Sequence, residues 1–201
     1  MALSPADRRL VRLFTACVLG RFDVVRELRS SAVPPEPDRR WREAVLQVHV
    51  FAGFPRLVEA YGVLAEAGGL GEEGPDERLA HEPGARARGR ELFDRIYASD
   101  AASVRAMLEG RHADFAAWIE EHAYGRVLAR PGLPADRREL LAVAALAALG
   151  QERQLASHAR GSLRVGASAA ELSATLDAVL DLVEPARLEQ ARRVVARFAP
   201  R

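Results

Sequence analysis

Residues 131–166 read PGLPADRRELLAVAALAALGQERQLASHARGSLRVG and have helical spacing on both sides of Gly150. Residues 140–149 are apolar on every side, which is typical of a helix that lies in a core or in an oligomer interface. The run is too short to cross a bilayer, which needs about 20 residues. Gly150 predicts the end of this helix, and a second helix is expected from about residue 151 to 165.

Two side chains that can exchange protons lie at similar distances along the helices on either side of Gly150. Glu139 lies 11 positions before Gly150, and His158 lies 8 positions after it. At a rise of 1.5 Å per residue, these positions are roughly 16 and 12 Å from the corner. If the two helices fold back on each other, a carboxylate and an imidazole meet in apolar surroundings, where they can act as acid and base. The alternative is that Glu139 only closes a capping box with Asp136 and that His158 is a solvated helix residue.

The rest of the chain also has helical spacing, and it contains no Asn-Gly or Asp-Gly hairpin turn. We therefore predict an all-α fold. Ser4 and Pro5 predict the start of a helix that ends near Gly20. Later helices are expected at about 22–31, from Asp38 with a kink at Pro55, and at about 90–98, 100–109, 113–129, 168–184 and 186–198. A capping box of Ser168 with Glu171 opens the helix at 168.

The composition excludes several classes of protein. All 29 basic residues are arginine and 28 residues are acidic, so the net charge is +1. A nucleic-acid binder usually has a basic excess, and we expect no nucleic-acid partner. Cys17 is the single cysteine, so we expect no CxxC pair, no metal site and a buried core role for this thiol. Lacking a recognisable secretory segment or membrane span, the chain is expected to be cytoplasmic.

A repeat is visible when DRRLVRLFTACVLGRFDVVREL is set beside DRRELLAVAALAALGQERQLASH, with Gly20 on Gly150. The offset is about 130 residues, and it predicts a duplicated helical unit. We expect a first, degenerate repeat at 1–67 and a second repeat at 90–201. Residues 68–89, with six Gly and two Pro, are expected to form a linker. The alternative is a chance likeness of two amphipathic hairpins.

Residues 120–176 resemble the core of the carboxymuconolactone decarboxylase family, whose members share an all-α fold with the alkyl hydroperoxidase D-like proteins. Residues 42–60, REAVLQVHVFAGFPRLVEA, resemble the closing helix of the same unit, in which a Gln, an aromatic residue and Gly-x-Pro recur. The resemblance implies a tandem two-unit member, in which the opening of the first unit and the close of the second have diverged. In the first repeat, Arg9 and Leu28 stand at the positions of Glu139 and His158.

The peroxidase branch of this family has a Glu, a CxxC pair and a His in fixed order. These positions fall on Glu139, Gln151, Gln154 and His158. Thiol peroxidation needs a thiolate and a resolving thiol, and glutamine supplies neither. A thiol peroxidase is therefore the least favoured function.

The decarboxylase branch needs neither a thiol nor a cofactor, because the electrons left by CO2 can flow into a lactone carbonyl. The resemblance implies removal of a carboxyl group from a small carboxylated lactone or a related acid, with His158 as proton donor and Glu139 orienting or recharging it. Gln151, Gln154 and Arg160 are candidates for substrate binding. His49 is a further candidate, with core packing as its alternative.

Two expectations remain beside the enzyme hypothesis. The chain could be a non-catalytic helical scaffold or a small-ligand binder of the same fold, because parts of both repeats have diverged. Two-unit relatives resemble trimers, so a homo-oligomer, with a trimer favoured, is expected. The apolar helix at 140–149 and the apolar face near residues 44–54 motivate this expectation.

Overall fold

The computed structural model describes residues 3–31, 39–79 and 83–198. Within these ranges the chain is helical and contains no strand, which confirms the predicted all-α fold. The helices are α1 Pro5–Leu19, α2 Phe22–Ser30, α3 Arg39–Glu66, α4 Ala85–Tyr97, α5 Ala101–Glu109, α6 Ala113–Trp118, a π-helix Ile119–Leu128, α7 Ala135–Ala148, α8 Glu152–Arg164, α9 Ala169–Asp177 and α10 Pro185–Val195. In these ranges, no helix combines the length and the hydropathy that a membrane span requires.

The helix starts follow local chemistry at most of the predicted places. The Ser4 hydroxyl accepts a hydrogen bond from the main-chain amide of Asp7 at 3.1 Å, and Pro5 is the first residue of α1. Ser168 and Glu171 form the predicted capping box at the start of α9. The capping box predicted at Asp136 is wrong, because α7 begins at Ala135 directly after the extended residue Pro134. The helix start predicted at Asp38 lies outside the described residues.

Helix α3 has two segments that are separated by a break. Gly53 has φ 80° and ψ 165°, a conformation that glycine adopts without the steric cost of a Cβ. Pro55 follows the break, where its missing N–H leaves no helical hydrogen bond unmade. The predicted interruption near Pro55 is confirmed, and the residue that turns the chain is Gly53.

The chain divides into two compact units. Unit one comprises Met1–Glu72 with Gly132–Arg201, and unit two comprises Glu73–Pro131. The bounds predicted from the repeat, 1–67 and 90–201, and from composition, 68–89, divide the chain at other places. Helix α4 starts at Ala85, inside the stretch that was expected to be a linker.

Helix α7 forms the centre of unit one. It packs against α1, α3, α8, α9 and α10, and every residue from Arg138 to Ala148 is buried. The all-round apolar pattern of residues 140–149 therefore reflects a helix that is surrounded by others. This packing restrains the buried side chains of α7, which include Arg138 and Glu139.

The helices of unit one start at corresponding places in the two predicted repeats. Helices α1 and α2 and the two segments of α3 have counterparts in α7, α8, α9 and α10, displaced by 130 residues. Gly20 and Gly150 end the first helix of each set with φ 71° and 68°. Their amides donate to the residues three positions earlier, Cys17 and Ala147, at 3.2 Å in both cases. The likeness seen in the sequence thus extends to helix ends and caps.

In unit two, α4 lies directly against the π-helix. A Cβ added to Gly89 would be 1.9 Å from the carbonyl oxygen of Glu120, and one added to Gly125 would be 1.9 Å from that of Ala85. Both positions therefore require glycine. The Tyr124 side chain is buried beside these helices.

Candidate active site

Glu139 and His158 meet in the interior of unit one. Glu139 lies in α7 and His158 in α8, and the turn at Gly150 folds one helix back on the other. The Nδ1 atom of His158 is 2.9 Å from Oε2 of Glu139. The residues are 9% and 1% exposed, respectively. The expected meeting of carboxylate and imidazole is therefore present, and the chemical roles assigned to the pair remain predictions.

Two opposing effects act on the charge of His158. Burial lowers the pKa of the imidazole, whereas the charge of Glu139 and its hydrogen bond raise it. The attraction prevails, and the pKa of His158 lies above its ordinary value. The imidazole thus keeps its proton to a higher pH than a free histidine would, which suits a general acid in apolar surroundings.

The second carboxylate oxygen of Glu139 is also informative. Oε1 is buried and has no hydrogen-bond partner within the part of the chain that the structure describes. Buried polar atoms nearly always have a partner, and an unsatisfied one costs about 1–3 kcal/mol. The oxygen is therefore suited to accept a hydrogen bond from a bound molecule beside His158.

An aromatic side chain from α3 completes the surroundings of His158. The Phe51 ring meets the imidazole edge-on, with centroids 6.1 Å apart, and meets Phe14 in the same manner at 5.8 Å. Because Nδ1 binds Glu139, the other ring nitrogen, Nε2, is the one available to a substrate. Sequence reasoning missed Phe51 as a contact of His158, although an aromatic residue at this place was part of the resemblance.

A second buried polar group joins α3 to α7 and was not predicted. The Arg138 guanidinium donates through Nη2 to Oε2 of Glu43 at 2.7 Å and through Nη1 to Oε1 of Gln47 at 3.3 Å. Its Nε donates to the carbonyl of Leu133 at 3.1 Å. Gln47 in turn donates through Nε2 to the main-chain carbonyl of Arg138 at 3.0 Å. Arg138, Glu43 and Gln47 are at most 1% exposed. In the sequence, Glu43 and Arg138 stand among other charged residues, so no local signal distinguishes them.

The predicted substrate-binding residues of α8 lie at its surface. Gln151 and Gln154 are exposed. Gln151 is the non-helical cap residue before α8, and Gln154 lies on the same helix face as His158, because the spacing is i, i+4. Arg160 is also exposed, follows His158 by two positions and so lies on another face. Its guanidinium lies over the Phe198 ring at 5.5 Å from the centroid. Binding roles for these three residues remain predictions.

His49 is half-buried on α3. Its Nδ1 lies 2.6 Å from the carbonyl oxygen of Leu46, and its ring stacks on Phe54 with centroids 4.8 Å apart. His49 has these local contacts, while the α3 residue seen against His158 is Phe51. The role of His49 at the site therefore stays a prediction.

Cys17 is part of the core, as predicted. It is fully buried, and burial raises the pKa of its thiol to about 12. A thiol with so high a pKa is a poor nucleophile at neutral pH. Among the described residues, no group of three or more His, Cys, Asp or Glu is placed to hold a metal ion.

Comparisons with known proteins agree with the resemblance seen in the sequence. Residues 113–197 match the model of the Carboxymuconolactone decarboxylase family. A segment of 59 residues, 29% of the chain, is 42% identical to 4-carboxymuconolactone decarboxylase from Acinetobacter baylyi. The match spans 44% of that protein's length. The predicted family resemblance is thereby confirmed, and residues 113–197 include both Glu139 and His158.

Proposed function

We propose that this chain, whose residues 113–197 match the model of the carboxymuconolactone decarboxylase family, is a cofactor-free decarboxylase of a small carboxylated lactone or a related acid. The observation that carries the proposal is the buried Glu139–His158 pair, joined at 2.9 Å, with a raised pKa on the imidazole. The name of the Acinetobacter relative supplies the reaction class.

In the proposed reaction, the bond between the carboxylate carbon and the ring carbon breaks and CO2 departs. The electron pair of that bond moves into the conjugated carbonyl and forms an enolate. His158 then donates the proton on Nε2 to carbon, and the carbonyl is restored. One proton is consumed for each CO2 released, and His158 regains it from solvent.

Glu139 supports this step in three ways. Its Oε2 holds Nδ1 of His158 and so directs Nε2 away from α7. Its charge raises the pKa of His158 and keeps the imidazole protonated until the enolate forms. Its second oxygen, Oε1, is buried and unpartnered among the described residues, and we propose that it accepts a hydroxyl or enol hydrogen of the substrate.

The surroundings of the pair favour the loss of CO2. A carboxylate that moves from water into apolar surroundings loses its solvation. The transition state for the loss of CO2 has a more dispersed charge and is destabilised less by this change, so the barrier falls. Phe51 and the apolar helix α7 provide such surroundings. We propose that Gln151 and Gln154, at the start of the helix that carries His158, hold the polar end of the substrate through their amides.

A panel of carboxylated lactones tests the proposal through CO2 release. His158→Gln should lower kcat by about 10²–10⁴-fold, the usual contribution of a general acid, while the far-UV spectrum stays unchanged. His112→Asn is the matched control, because Asn can replace the exposed helix cap that His112 provides. Full activity of His158→Gln would remove this residue from the mechanism.

A non-catalytic small-ligand binder is the second candidate. It is favoured by the N-terminal repeat, where Arg9 replaces Glu139 and donates to the carbonyl of Leu28 at 2.8 Å, so the acid–base pair is absent there. A binder would take up a lactone acid, with the same dependence on Glu139, but release no CO2 on incubation.

We further propose that the chain is a tandem duplication and assembles as a trimer. The helix starts displaced by 130 residues support the duplication. Light scattering should give a particle of about three times 21.9 kDa. A mass of one chain would contradict the trimer without bearing on the reaction.

A further inference from the structure

We propose that Glu43, Gln47 and Arg138 position the Glu139–His158 pair, with Gln47 as the residue that fixes the peptide carrying Glu139. The inference rests on the proposed catalytic role of the pair. The three residues are termed the positioning cluster. Together they deepen the proposed function by adding a group that acts through Glu139 and does not contact substrate.

The hydrogen bonds of Arg138 fasten the beginning of α7 to α3. Its guanidinium reaches Glu43 at 2.7 Å, Gln47 at 3.3 Å and the carbonyl of Leu133 at 3.1 Å. Glu43 and Gln47 lie 95 and 91 positions away in the sequence. These contacts therefore fix how the first turn of α7 sits on a distant helix.

Gln47 makes a main-chain contact in addition to its bond with the Arg138 guanidinium, which the Arg138–Glu43 ion pair does not require. Its Nε2 donates to the main-chain oxygen of Arg138 at 3.0 Å, which belongs to the peptide bond between Arg138 and Glu139. A peptide group is planar and rigid, so fixing this oxygen also restrains the Cα of Glu139. Arg138 and Glu139 project about 100° apart on the helix. One side chain can thus bind α3 while its neighbour reaches His158.

The same face of α3 contacts both members of the pair. Glu43, Gln47 and Phe51 are spaced at i, i+4 and i+8, which places them on one helix face. Gln47 holds the peptide of Glu139, and Phe51 meets the imidazole of His158 at 6.1 Å. A shift of α3 would therefore move the carboxylate and the imidazole together with it.

Stability alone does not explain a buried cluster of this kind. Glu43 and Arg138 are each 1% exposed. Taking such charges out of water costs so much that well-packed apolar residues are often as stable or more stable. Precise placement of a neighbouring group is a role that apolar residues cannot fill, and buried polar networks are known to fix unique arrangements.

The test uses Gln47→Met, which keeps the volume and removes both hydrogen bonds, and the double variant Glu43→Met/Arg138→Met, which replaces the ion pair with apolar side chains. Gln190→Met in α10 is the matched control, because Gln190 bonds only a surface carboxylate, that of Glu152, among the contacts described. Folding is checked by thermal unfolding and far-UV spectra.

The first readout is the downfield ¹H resonance of the His158 Nδ1 proton in the substrate-free protein, assigned by its absence in His158→Gln. Both positioning variants should shift or broaden this resonance, and the control should leave it unchanged. The second readout is turnover, in which kcat should fall about tenfold or more with little change in KM, as expected for misplaced catalytic groups.

A folded Gln47→Met protein that keeps both the resonance and kcat would overturn the proposal. If Gln47→Met fails to fold, the same criteria apply to the double variant. Because the resonance is measured without substrate, a wild-type protein that decarboxylates nothing would refute the proposed function and leave this test intact.

Discussion

Replacing Glu139 with Gln should destabilise the protein in a pH-dependent way. The substitution keeps the shape of the side chain and removes the charge that lies 2.9 Å from Nδ1 of His158. The charge and hydrogen bond of Glu139 outweigh burial and hold the pKa of His158 above its ordinary value of 6.5 in the folded protein. The resulting stabilisation is fully present below about pH 6.5, the pKa in the unfolded chain, and is lost as the pH rises through the folded pKa.

The expected size follows from the kind of bond that is lost. A buried hydrogen bond to a charged group contributes about 1.5–3 kcal/mol, which corresponds to about 3–12 °C in Tm for a chain of this length. Thermal unfolding from pH 5.5 to 9 measures it, with Glu189→Gln as control, because the Glu189–Arg193 pair is exposed. The difference between wild type and Glu139→Gln should be largest at the acidic end and shrink towards pH 9. A difference that is constant or that grows with pH would refute this account of His158.

Three further outcomes are expected. Cys17 should not react with a thiol reagent in the folded protein and should react fully in denaturant, because burial raises the pKa of its thiol to about 12; rapid reaction in the folded protein would contradict its core placement. Gly89→Ala should lower the free energy of unfolding by several kcal/mol, on the order of 2–4, because the new Cβ would lie 1.9 Å from the carbonyl oxygen of Glu120; an unchanged Tm would show that this contact is looser. Isothermal titration with a lactone acid should give one binding site per chain, since Arg9 and Leu28 replace the pair in the N-terminal repeat; a stoichiometry of two would show that the N-terminal repeat also binds ligand.

The fold was predictable because its signals are local. Ser4 and Ser168 mark helix starts through hydroxyls that accept amides three residues later. Gly150 follows the end of α7 with a positive φ of 68°. A residue with a Cβ would adopt this conformation only with strain. The capping box of Asp136 with Glu139 is not formed, because the extended residue Pro134 precedes the helix and α7 starts two residues earlier than that box implied.

The Glu139–His158 meeting was predictable for the same reason, since the two residues lie within one helical hairpin and helical rise fixes their heights. The positioning cluster was not, because Glu43 and Arg138 are 95 residues apart. In sequence, each looks like an ordinary charged residue on a helix surface. Long-range pairing of buried charges depends on how helices pack, which spacing within one helix does not encode.

On the proposed duplication and the proposed role of Glu139 and His158, both repeats contribute residues to one site. The place of Phe51 in the C-terminal repeat is taken by Asp181, 130 residues later, and Asp181 binds Arg12 through two hydrogen bonds of 2.5 and 2.8 Å. This position of the C-terminal repeat therefore takes part in an ion pair between α1 and the turn after α9.

The contacts around Glu139 and His158 involve residues of both repeats. Glu139 and His158 come from the C-terminal repeat, while Gln47 and Phe51 reach them from α3 of the N-terminal repeat. The N-terminal repeat could therefore lose its own acid and imidazole without becoming dispensable, because its closing helix holds those of its copy. On the proposed duplication, this dependence predicts that neither repeat alone would carry the complete site.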